Sequence, residues 1–147
     1  MKKLLFASAI LTIAAISIAF GGAFAAQDPQ AALNVMLDAA ASVRGPLETC
    51  PGCRITFAVP AAIAAARAGE VELAQQHEAQ CVFLADVVMR LPAWHAAHDE
   101  VRGHIAAAKK ASRDEVVSHF AAAAARFRGA GHPIDAGRCE RLAGEAG

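Results

Sequence analysis

The segment Ile63-Ala-Ala-Ala-Arg67, with His77 ten residues beyond it, returns as Ile105-Ala-Ala-Ala-Lys109 with His119 ten residues beyond. The period is about 42 residues. Repetition on that scale marks a stacked helical array, because one unit buries its apolar face only when the next packs against it. The expected fold is all-α, a short right-handed solenoid of helical hairpins with about five to six helices.

The first 25 residues read as an address rather than as structure. Lys2 and Lys3 precede an apolar run over 4–20, and Gly21-Gly22-Ala23-Phe24-Ala25 supplies the small residues of a signal-peptidase site. Cleavage after Ala25 is expected, since the run is at the lower limit for a membrane span and passes straight into the cleavage site. The expected organisation is a signal peptide at 1–25 and one α-helical repeat domain at 26–147, exported to the periplasm or beyond the cell.

Without Lys2 and Lys3 the chain holds 12 basic and 14 acidic residues, with no block of like charge. Such a surface argues against nucleic acid and against acidic membrane surfaces as partners, and no stable membrane insertion is expected once the signal is removed. Tyr is absent, Trp94 is the single tryptophan, and Ala dominates. Alanine has the best helix propensity, and nowhere does an apolar–polar alternation compete with the helical period.

The pattern predicts a first helix over 28–44, with Asp28 as N-cap, Pro29 at the first helical position, and Leu33, Met36, Leu37, Ala40 and Val43 on its apolar face. Gly45-Pro46 ends it. The first repeat then pairs a helix over 53–68, with Pro60 as a kink, and a helix over 71–89 whose inner stripe is Ala74, His77, Cys81, Leu84, Ala85 and Val88. Leu91-Pro92 is the expected stop. The second repeat pairs Trp94, Ala97, Val101, Ile105 and Ala108 on one helix with Val116, Phe120, Ala123, Ala124 and Phe127 on the next, which opens with a Ser112-to-Glu115 capping box. A last helix from Ile134 through Cys139 and Leu142 closes the stack.

The turn Ala64-Ala-Ala-Arg-Ala-Gly-Glu70 with Ala74 beyond it resembles tetratricopeptide-type helical pairs. With Cys50-Pro-Gly-Cys53 and the stretch from His119 to Cys139, the chain from Cys50 onward is similar to the C-terminal repeat arrays of large ATP-binding bacterial transcriptional regulators. The resemblance implies protein–protein contact and nothing more. The chain has neither a phosphate-binding Gly-Lys-Ser/Thr loop nor a basic recognition helix, and its period exceeds the 34 of a standard tetratricopeptide unit.

Four cysteines in an exported chain make two disulfides the default, among Cys50, Cys53, Cys81 and Cys139. Three pairings exist and the sequence does not choose. Cys50-Pro51-Gly52-Cys53 also has the spacing of a redox motif at a helix N-terminus, where a thiolate is favoured. No strand precedes it, unlike in the thioredoxin-like folds, so thiol–disulfide exchange is the alternative reading rather than the leading one. His95 and His98, three apart on one helix, could share a metal, yet no local motif completes a site. His77 and His119 read as packing positions. No nucleophile elbow is present, and neither cofactor nor metal is expected. The leading expectation is an exported helical-repeat protein that binds another protein or a peptide, with Leu84, Trp94, Ile105, Phe120 and Phe127 as core and repeat positions.

Overall fold

The computed structural model describes residues 28–42 and 50–147. The expected signal peptide, and Val43, Arg44 and Gly45-Pro46 at the expected end of the first helix, lie outside the described residues. Among the described residues the chain is all-α, in six helices: α1 (Pro29–Ser42), α2 (Pro51–Arg67), α3 (Val71–Val82, continued by a π-helical Phe83–Met89), α4 (Pro92–Ala108), α5 (Arg113–Gly129) and α6 (Pro133–Ala146). None of them is long and apolar enough to cross a membrane.

Four of these helices begin on a proline, whose missing N–H costs nothing at the first helical position. Leu91-Pro92 lies just past the end of one helix, as expected, and Pro92 also starts the next. Asp28 Oδ1 accepts from Gln30 N at 3.0 Å and caps α1. Ser112 Oγ accepts from Glu115 N at 3.3 Å and caps α5, which carries Asp114 and Glu115 in its first turn and Arg126 and Arg128 in its last, as the helix dipole favours.

The turns after α2, α4 and α5 are built alike. Gly69, Lys110 and Gly131 each take positive φ, and the following N–H reaches back five residues: Glu70 to Ala65 O at 2.9 Å, Ala111 to Ala106 O at 3.0 Å, His132 to Phe127 O at 2.9 Å. These are Schellman caps, which satisfy the last carbonyls and turn the chain so that the next helix folds back on the one before.

The core follows from alanine. On α2 every residue from Ala58 to Ala66 is buried, and small side chains there let α1, α3 and α4 all pack against one helix. Helix α2 runs through Pro60 as one element. Leu33 and Met36 of α1 are buried, but Leu37 is 45% exposed and Ala40 faces solvent, a narrower apolar face than expected; among the described helices α1 packs chiefly on α2. Leu84, Ile105, Phe120 and Phe127 are buried as expected and Trp94 is half-buried. Val88 is not on the inner stripe: it is 40% exposed, because the π-helical turns advance by more residues per turn and rotate the end of α3 off its α-helical register.

Helix α4 is tied by charge as well as packing. His95 Nδ1 meets Asp86 at 2.9 Å and His98 Nε2 meets Glu78 at 3.3 Å, both on α3 or its π extension. Asp99 Oδ2 meets Arg126 of α5 at 3.0 Å, and Glu100 meets Arg138 of α6 at 2.7 Å. Consecutive polar residues of one helix thus reach three neighbours.

Candidate functional site

Between α2, α4 and the α5–α6 turn lies a cleft of about 380 Å³, within the range of ligand pockets. Val59 and Ile63 of α2, Ala93, Trp94 and Ala97 of α4, and Phe127 of α5 give it apolar walls. They point there because Val59 and Ile63, and likewise Ala93 and Ala97, stand four apart on their helices.

Its far end is polar. Arg138 Nε donates to Glu100 Oε1 at 2.8 Å and Nη2 to Oε2 at 2.7 Å, a bidentate fork, while Nη1 donates to Asp135 Oδ1 at 2.6 Å. His132 Nδ1 lies 3.5 Å from the other Asp135 oxygen, and the guanidinium stands 6.0 Å from the Phe127 ring centroid. Glu100 is only 1% exposed, so its charge depends on Arg138. The hydrogen bonds to Glu100, first among the causes, hold the Arg138 guanidinium above its ordinary value. Two carboxylates against one guanidinium leave this end negative. With the fork already occupied, the arrangement suits binding, and no nucleophile stands in it.

A second site is the start of α2. Cys50, extended at φ −105° and ψ 102°, is the N-cap residue, and its Sγ accepts from Cys53 N at 3.3 Å. Hydrogen bonding from the Cys53 side chain, then from its backbone, lowers the Cys50 thiol below its ordinary value; the same contact, then burial, raises Cys53. Both are half-buried. Cys81 and Cys139 are fully buried, on α3 and α6, which share no substantial packing face, and burial pushes each thiol up to about 12. The fold therefore brings Cys50 and Cys53 together and sets the other two apart in the core.

The histidines do not converge. His95 and His98 share a face of α4, but each is engaged by a different carboxylate of α3, and among the described residues no group of three or more His, Cys, Asp and Glu is arranged to hold a metal. His77 packs edge-on to Phe57 with ring centroids 6.0 Å apart; its Nδ1 is buried without a hydrogen-bond partner, and burial lowers its pKa. His119, its repeat equivalent, instead borders a shallow polar hollow with Glu78, Arg102 and Lys109, so the two positions differ in environment.

Sequence reasoning missed Glu100, Asp135, Arg138 and His132. One signal was present: Glu100 interrupts the apolar stripe between Ala97 and Val101, and an acid there demands a cation from another helix. Compared with protein-family models, curated proteins and solved structures, the chain gives no match.

Proposed function

We propose that this is an exported helical-repeat protein, tetratricopeptide-like in its stacking, that binds a peptide or an exposed segment of another protein in the cleft. In this reading α2–α3 and α4–α5 are the successive hairpins and α6 the closing helix. The observation that carries it is the cleft itself: α2, α4 and Phe127 of α5 supply one apolar surface, and Asp135 and Arg138 of α6 join Glu100 in the polar network that ends it. Such a surface favours an apolar side chain for the walls and a neighbouring basic group for the acidic end.

Trp94 is the only tryptophan and stands in the cleft wall, so its emission reports occupancy directly. Peptides selected for binding to the full chain are expected to combine an apolar residue with Lys or Arg and to shift Trp94 emission. Ala93→Phe, at the half-buried rim, is expected to fill the cleft and reduce that binding at least tenfold. Selected peptides that bind without any change in Trp94 emission, and equally well to Ala93→Phe, would remove the cleft from consideration.

A further inference from the structure

A different observation, independent of the cleft, points to chemistry at the other end of α2. We propose that Cys50 and Cys53 form a thiol–disulfide exchange site, with Cys50 attacking and Cys53 resolving, whose substrate is a solvent-accessible disulfide. Two cysteines stand in one helical turn, and the Cys53 backbone N–H donates to Cys50 Sγ at 3.3 Å. The N-cap place is ordinarily filled by an oxygen acceptor, and a Cys50 thiolate there would accept the N–H and meet the positive end of the helix dipole. Among the described residues nothing stands within 4 Å of where a Cβ on Gly52, between the cysteines, would lie. The ordering of the two thiols, Cys50 lowered and Cys53 raised, assigns the roles in the same sense as the geometry.

The Cys50 thiolate attacks one sulfur of the substrate disulfide. That S–S bond breaks, the other substrate sulfur leaves as a thiolate and takes a proton from water, and a mixed disulfide to Cys50 remains. Cys53 gives its proton to water and attacks Cys50 Sγ; the mixed disulfide breaks and the remaining substrate sulfur leaves as a thiolate and is protonated. The substrate disulfide has then gained two electrons and two protons, and the Cys50–Cys53 dithiol has become a disulfide. Run backwards, the oxidised pair transfers its disulfide to a substrate dithiol.

The test uses the reduced full chain and bis(2-hydroxyethyl) disulfide as probe. The wild type is expected to end as an intramolecular Cys50–Cys53 disulfide, and Cys53→Ser to stop at a mixed disulfide on Cys50, both read by mass spectrometry after peptide mapping. A second measurement needs no variant: brief alkylation of the native reduced protein with iodoacetamide at neutral pH is expected to label Cys50 several-fold faster than Cys53 and to leave Cys81 and Cys139 unlabelled. Labelling of Cys53 first, equal rates at the two positions, or absence of the Cys50–Cys53 disulfide in treated wild type would overturn the proposal.

Discussion

Replacing glycine by alanine inside a helix ordinarily stabilises by about 1 kcal/mol, because alanine loses less backbone freedom on folding. At Gly103 of α4 the opposite is expected. A Cβ there would lie 2.7, 2.8 and 3.0 Å from three ring atoms of Phe120, well inside the roughly 3.5–4.0 Å at which carbon atoms pack best. The ring has little room to yield: Phe120 is 3% exposed and sits edge-on against His104 with centroids 5.1 Å apart. Overpacking of this kind costs about 1–3 kcal/mol, so after the propensity gain Gly103→Ala is expected to destabilise by about 1 kcal/mol net. The protein supplies its own control in Gly137 of α6, which is exposed and has nothing within 4 Å of its would-be Cβ, so Gly137→Ala is expected to stabilise by about 0.5–1 kcal/mol. Urea unfolding followed by far-ultraviolet circular dichroism gives both values, and Gly103→Ala with Phe120→Leu should recover part of the loss. If Gly103→Ala stabilises as much as Gly137→Ala, α4 and α5 do not approach as closely as described.

Arg138→Met leaves Glu100 buried without its cation and is expected to cost about 3 kcal/mol, the lower end for breaking a buried pair because Arg138 is itself 28% exposed. Adding Glu100→Gln should restore part of this in the same urea measurement, and a loss below about 0.5 kcal/mol for the single change would show that the fork is not held in solution. Burial, aided by the positive charges of Arg67 and Arg138, holds His104 at about 4 against an ordinary 6.5. Between those values the unfolded chain binds the extra proton, so stability is greatest above about pH 6.5 and falls as pH drops toward 4, by at most about 3 kcal/mol from this residue. His77, lowered by its own burial, acts in the same direction. A nuclear magnetic resonance titration that places the His104 midpoint near 6.5 would contradict the burial of that ring.

The helices were legible because alanine propensity and the 3.6 period act locally, and most observed ends fall within two residues of those expected. What went astray was set by longer-range or subtler effects. The π-helical end of α3 carries no composition signal in Phe83-Leu-Ala-Asp-Val-Val-Met89, yet it turns Val88 outward. Leu37 has the right spacing for burial, but among the described helices α2 is the main partner of α1 and leaves Leu37 45% exposed. The pairing of Glu100 with Arg138 spans 38 residues, and no periodicity links them. His95 and His98 have ligand spacing, but spacing says nothing about Asp86 and Glu78 on the neighbouring helix, which engage them separately. Cys50 and Cys53 were legible as a pair, whereas their unequal environments arise from the N-cap geometry that only the fold supplies.

In an array whose units meet through apolar faces alone, an end unit can fray for little more than the cost of one interface, and protection against hydrogen exchange then declines toward the ends. Helix α4 alters that balance. Detaching α6 would strand Glu100, and detaching α5 would strand Asp99, each a carboxylate within the packed face of a helix. Opening either side therefore carries an electrostatic cost as well as a packing one, and the partly open states are raised relative to the fully unfolded chain. The amides of α4, α5 and α6 should consequently exchange through one shared global opening, so these three helices behave as a single cooperative body.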